Sequence, residues 1–161
     1  EDRKISPTQT YFCNGGLNWG DRFFKCWYGF HGQQDMYAAI QNSCNSYFYQ
    51  LALDIGPNLI LHRAKMFGLG ERTGIDVPGE IAGSDPMNKF LDKSARRKWF
   101  DGDTINMGIG QGYLLVTPIQ IHNFMCILAG NGKSYVPHFF KELRSPVDDK
   151  ILRTFEKKAL S

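Results

Sequence analysis

Residues 102–120 read GDTINMGIGQGYLLVTPIQ, the most patterned block of the chain. Its centre, GIGQGY, is a glycine-rich turn. It is neither GxGxxG nor GxxxxGK[ST], and no strand-like run precedes it, so a packing turn is expected rather than a phosphate cradle. Thr117-Pro118 then opens a helix, with threonine as N-cap and proline at the first helical position. Ile121, Phe124, Met125 and Leu128 give that helix an apolar face, and Gly130-Asn131-Gly132 closes it. Cys126 falls inside this apolar stretch and is expected to be a buried, inert thiol.

Working back toward the N-terminus, DPMNKFLDKSARRKWF (85–100) is a polar, cationic segment compatible with a helix, and FGLGERTGIDVPGE (67–80) is a turn-rich connection. A helix over 58–68 ends at Gly68, and Gly56-Pro57 separates it from a helix over 46–55. In that helix Phe48, Leu51, Ala52 and Ile55 follow the i, i+3, i+4, i+7 spacing of a buried stripe. A short helix over 35–42 has Asp35 as N-cap and Met36, Ala39 and Ile40 on one face. Residues 1–33 show no sustained period; they predict turns and a short hairpin around Gly15-Gly16. Toward the C-terminus, 134–143 reads as extended, and the last twenty residues as a charged tail or the start of another element. The organisation expected is a glycine- and aromatic-rich segment (1–33), a helical region (34–142) and a charged tail (143–161).

The 161 residues suit one domain, and 42% hydrophobic with 22% charged residues is a globular composition. The net charge of +3 is mild, and Arg96-Arg97-Lys98 is the one tight basic run, which reads as a solvated helix end. Nucleic-acid binding gains no support. No run of about 18 apolar residues occurs, and no signal-peptide pattern opens the chain. The opening EDRKISPTQT reads as a start inside a longer protein.

Two groups of residues could carry chemistry. Cys13, Cys26, His31 and Cys44 are spaced C-x12-C-x4-H-x12-C. Three thiolates and an imidazole form a standard tetrahedral zinc set, although the spacing is not that of a common finger. A Cys13–Cys26 disulfide with Cys44 reduced, or unconnected thiols, are the alternatives. The second group is Ser43-Cys44-Asn45. In a regular helix residues i and i+2 point about 200° apart, so Ser43 and Asn45 can face one pocket only if the triplet is a turn between two helices. Helix capping by either residue is the bland reading. Cys44 as a nucleophile would need a base, for which His31 is the candidate, and a shared metal would remove that role.

AIQNSCNSYFYQLALDIG (39–56), FGLGERTGIDVPGE and GDTINMGIGQGYLLVTPIQ, in this order and at these separations, resemble the transpeptidase domain of class B penicillin-binding proteins, closest to the elongation type. The resemblance extends from about residue 5 to about 142. It implies an α+β, predominantly helical chain: the helical subdomain of the penicillin-binding protein/β-lactamase-like transpeptidase fold. Of that family's three active-site motifs, Ser43-Cys44-Asn45 matches SxN. No serine here has lysine three positions on, and no KTG occurs; Arg72-Thr73-Gly74 belongs to the GxxTGIDxPGE connection. In the family SxxK lies before the matched region and KTG after it, so the resemblance implies a piece cut from between them, inactive by itself.

The implied reaction is serine-based D,D-transpeptidation of peptidoglycan stem peptides, with β-lactams as mimics of the D-Ala-D-Ala end. By resemblance Ser43 relays a proton and Asn45 orients the substrate amide. The elongation-type branch also associates zinc with this region, at positions matching Cys13, Cys26, His31 and Cys44. Further implications are cell-wall elongation partners and a membrane-anchored parent on the periplasmic side of the inner membrane. The alternative is a non-catalytic, zinc-stabilised scaffold module of a cell-envelope complex. Without a central sheet, apolar helix faces should be exposed and copies should associate.

Overall fold

The computed structural model describes residues 5–84, 86, 98–156 and 158–160. The cationic segment expected to be helical, with Arg96 and Arg97, lies almost wholly outside them. The chain forms two compact units, one from residues 1–62 and 86–114, the other from 63–85 and 115–161.

In the first unit the N-terminal segment is more regular than its sequence suggests. β1 (Tyr11–Cys13) pairs antiparallel with β4 (Gly32–Gln34), and between them β2 (Gly16–Trp19) pairs with β3 (Arg22–Lys25). The hairpin turns at Gly20-Asp21, not at Gly15-Gly16 as the glycine pair suggests. Gly20 takes φ +61° at the first of two turn positions, the place a type II′ hairpin reserves for glycine. Strands this short hold no stable sheet unaided. Their support is α2 (Asn45–Ile55): Tyr11 of β1 donates a hydrogen bond to Asp54 on the helix, and Tyr49 of the helix donates to the Lys25 carbonyl of β3.

Before α2 comes α1 (Met36–Gln41), capped as expected by Asp35, whose carboxylate accepts from the Ala38 amide at 2.8 Å. Ala39 is buried, but Ile40 of the expected apolar face is 63% exposed. In α2, Leu51 and Ala52 of the expected stripe are buried, and Tyr47 and Tyr49 lie deeper than the period implies. The core joins Tyr47, Leu51 and Ala39 to Cys13, Cys26 and Cys44. α3 (Pro57–Met66) follows the break at Gly56, and α4 (Asp101–Met107) packs on α2 through Thr104, Ile105 and Met107. The GIGQGY stretch is a turn, as expected, with Gly110 and Gly112 at positive φ.

In the second unit α5 (Pro118–Ala129) starts on the expected Thr117 cap, completed by Gln120 into a capping box. The apolar face read from the sequence, however, is largely open: Ile121, Met125 and Leu128 are exposed, while Gln120 and Ile127 are buried. Cys126 lies on the open side, 3.6 Å from the exposed His122 (Sγ to Nε2), so the expectation of a buried thiol is corrected. Helical spacing shows which residues share a face, not whether another element covers it. Gln120 works as a bolt: its side chain donates to the carbonyls of Glu71 (2.6 Å) and Ala82 (3.0 Å) and accepts from the Gly70 amide at 3.2 Å. The C-terminal stretch, read as a charged tail or the start of another element, holds strands among its described residues. β5 (Ser134–Tyr135) pairs with β8 (Ala159–Leu160), and β6 (Glu142–Arg144) with β7 (Ile151–Thr154). Ser145 to Asp149 supply the turn, a Ser/Pro/Asp signal hidden among charges.

Two predictions follow from this packing. Gly108, at the end of α4, has ordinary helical φ, yet an added Cβ would stand 2.6 Å from both Ala52 Cβ and the Phe48 carbonyl oxygen. Gly108→Ala should therefore lower stability by about 1–3 kcal/mol in denaturant unfolding. In the other unit, Glu80 accepts from Thr73 N and Oγ1 (both 2.6 Å) and Gly74 N (3.0 Å). Burial pushes this carboxyl up, but those three bonds outweigh it and hold its pKa below the ordinary 4.5. A depressed folded-state pKa stabilises above the unfolded value and is lost as pH falls through the folded one. The stability gap between wild type and Glu80→Gln should be largest near neutrality and close below pH of about 4; an unchanged gap at acid pH would refute this.

Candidate active site

Ser43, Cys44 and Asn45 occupy the turn that joins α1 to α2. Ser43 has φ +49°, a left-handed conformation that a non-glycine residue adopts at a cost. Cys44 is extended (φ −74°, ψ 100°) and stands at the N-cap of α2 without capping through its side chain. Asn45 begins the helix. The change from left-handed to extended to helical across three residues sends the middle side chain away from its neighbours. Ser43 and Asn45 border one open cleft of about 330 Å³, with Ile40, Phe48, Gly108 and Ile109 as its other walls. Cys44 is fully buried on the opposite side. The geometric condition set by the sequence, a turn between two helices, is met, and Ser43 is not a cap.

On the buried side, Cys13 at the end of β1, Cys26 just after β3, His31 just before β4 and Cys44 converge. One donor atom from each lies within 4.8 Å of every other. His31 Nδ1 is 3.5 Å from Cys13 Sγ and 3.6 Å from Cys26 Sγ. Zinc–ligand bonds of about 2.0–2.3 Å in a tetrahedron place donors roughly 3.5–3.8 Å apart, so the donor chemistry and these separations fit the ion. All four cysteines are free thiols in the structure, Cys13 and Cys26 included.

The three buried thiols are electrostatically unequal. Burial pushes the Cys13 thiol up, but the Ser46 hydroxyl and the His31 and Gly15 amides stabilise its thiolate and bring it below the ordinary value. Cys26 is lowered similarly against burial, by the amides of Ser46, Tyr28 and Asn45. Cys44 carries the cost of crowding: burial and the neighbouring Cys13 and Cys26 push it up to about 12. Three thiolates in one dry pocket repel one another unless a cation shares them.

The family model described as "Penicillin binding protein transpeptidase domain" matches residues 1–160. The chain belongs to that family. A peptidoglycan D,D-transpeptidase MrdA from Haemophilus influenzae is 39% identical over 126 residues, 76% of this chain and 19% of the relative. The penicillin-binding protein PBP2 of Helicobacter pylori superposes with a TM-score of 0.75 at 34% identity, over 84% of this chain and 26% of that one. A complex of PBP2 and MreC from the same organism gives 0.73 at 29% identity, over 91% and 27%. The chain thus spans about a fifth to a quarter of the length of these relatives. The α+β, predominantly helical class expected from the sequence is that of these transpeptidase domains.

Sequence reasoning did not single out the cleft walls. In the sequence Ile40 reads as part of an apolar helix face, and Gly108 and Ile109 as part of a glycine-rich packing turn. Nor did it find Gln34, a buried side chain with no hydrophobic period to announce it. The left-handed Ser43 is the most strained point of the site. Ser43→Gly should leave stability unchanged or raise it by up to about 1 kcal/mol; a lower thermal midpoint would show that Ser43 is not strained.

Proposed function

We propose that this chain supplies the SxN side of the active site of a peptidoglycan D,D-transpeptidase of cell-wall elongation. The observation that carries the reading is the single cleft shared by Ser43 and Asn45, inside a chain of the transpeptidase family. The attacking serine and its lysine belong to the SxxK motif, which this sequence does not contain. That serine oxygen forms a bond to the penultimate D-Ala carbonyl carbon, the bond to the terminal D-Ala breaks, and the leaving amine takes up a proton. An amine of a neighbouring stem peptide then displaces the serine. Ser43 passes the proton between the lysine and the leaving or incoming amine. Asn45 donates a hydrogen bond from its side-chain amide to the acyl-side carbonyl and holds it for attack. Phe48, Ile40 and Ile109 give the pocket an apolar wall and limit water.

Cys13, Cys26, His31 and Cys44 hold a structural zinc in this reading. Bound there, the ion supplies charge neutralisation to the thiolates and a cross-link between the 13–31 segment and the SxN turn, and it has no place in acyl transfer. The enzyme acts on the periplasmic side of the inner membrane, anchored by chain outside this sequence. It works beside other proteins of cell-wall elongation, a reading supported by the similarity to Helicobacter pylori PBP2 in complex with MreC. A non-catalytic scaffold role makes no use of the shared cleft and is the weaker reading.

A fluorescent penicillin tests the activity. The full-length protein should be labelled covalently, Asn45→Ala should slow acylation by about 100-fold, and residues 1–161 alone should not be labelled. Labelling of the isolated chain would overturn the assignment of the nucleophile elsewhere. Elemental analysis of protein purified without added metal should find one zinc per chain, and Cys26→Ser should reduce it and destabilise the fold by several kcal/mol. Protein free of zinc with a mass two hydrogens short would point instead to the disulfide.

A further inference from the structure

The turn bearing Ser43 is gripped from outside as well as through Cys44. Trp27 follows Cys26 directly in sequence, and its indole N–H donates to the Asn42 carbonyl at 3.0 Å, the peptide group immediately before Ser43. The ring itself stays 64% exposed, so the hydrogen bond and its contact with the His31 ring (centroids 5.8 Å apart), rather than burial, fix it. Asn42 is held a second time. Its side-chain amide donates to Gln34 Oε1 at 2.9 Å, while Gln34 Nε2 donates to the carbonyls of His31 (3.0 Å) and Gln33 (2.8 Å). Gln34 is only 4% exposed, and these bonds satisfy both ends of its amide.

Two polar tethers therefore run from the segment carrying Cys26 and His31 to Asn42. One goes through Trp27 to the backbone carbonyl, the other through Gln34 to the side chain. Both end one residue before the left-handed Ser43. A strained residue keeps its conformation only where its surroundings over-determine it, and Asn42 is the fixed point that does so.

We infer that Trp27 and Gln34 are positioning residues for the Ser43–Asn45 turn, acting through Asn42 to hold the Ser43 hydroxyl in the cleft. This rests on the transpeptidase reading for its catalytic consequence, and on the hydrogen bonds alone for its structural one. Neither residue touches the cleft, so their effect falls on the rate of acyl transfer rather than on ligand capture.

The test uses the full-length protein with Trp27→Phe, which keeps an aromatic ring and removes the N–H, and Gln34→Leu, which removes the amide at similar volume. Trp19→Phe is the control: it deletes an indole bond to Asp101 of 3.1 Å on another part of the unit. Stopped-flow acylation by a fluorescent penicillin separates the pre-acylation dissociation constant from the acylation rate constant. Trp27→Phe and Gln34→Leu should each lower the rate constant by about tenfold and move the dissociation constant less than twofold, with Trp19→Phe at the wild-type rate. Wild-type acylation rates in both variants, or an equal loss in Trp19→Phe, would overturn the inference. A crystal structure of each variant gives an independent reading. Ser43 should leave the left-handed region or split into two conformers, and an unmoved Ser43 in both overturns the inference whatever the labelling shows. A wild-type protein that takes no penicillin defeats the transpeptidase reading, not the tethering, which the two crystal structures then decide.

Discussion

The first unit depends on the convergence of four donor atoms from Cys13, Cys26, His31 and Cys44 into one pocket. The segment that delivers three of them is built from strands of three or four residues, with many side chains open to solvent. Such strands bury too little apolar surface to offset the conformational entropy of fixing them. A metal ion held where three separated stretches meet the N-terminus of α2 would supply what the sheets lack. A cation shared among the thiolates would offset the burial and crowding that push Cys44 up, and would close the segment by attraction.

The same convergence explains how one triplet serves two environments. A fully buried Cys44 fixes the direction of the chain between two residues that must look outward. The cost is borne by Ser43 in its left-handed conformation and spread over the bonds made at Asn42. Gly108 completes the cleft from the α4 side by having no side chain where Ala52 and Phe48 press closest. Backbone economy at one wall and backbone strain at the other make a small opening with two polar groups on its rim.

Much of this was legible in the sequence wherever the signal was local. The caps at Asp35 and Thr117, the break at Gly56 and the turn at GIGQGY are set by residues within a few positions of one another, and they stand where the sequence places them. The i, i+2 argument set the condition that the SCN triplet meets, a turn between two helices, because it rests on fixed backbone geometry, whereas the Cys/His spacing left a zinc set, a disulfide and free thiols open. What failed depends on partners distant in sequence. Ile40, Met125 and Cys126 sit at apolar positions, but exposure is decided by what else packs there. Gln120 is a polar residue buried because the distant carbonyls of Glu71 and Ala82 meet it, whereas Gln34 is buried on the nearby carbonyls of His31 and Gln33 and on Asn42; no periodicity records either. The β6–β7 hairpin was hidden by its charges, since Arg144 paired with Glu142 and Asp149 reads in sequence as a tail.

The exposure of Cys126 divides the thiols of this protein into two populations. One sulfur lies on an open helix beside a histidine, and three are shut in a common pocket. A maleimide reporter reaches the first without touching the others, so a dye or spin label can be carried on α5 while the SCN turn stays intact. Counting reacted sulfurs over time then becomes a clock for the opening of the Cys13–Cys44 pocket, read with no substrate and no antibiotic present.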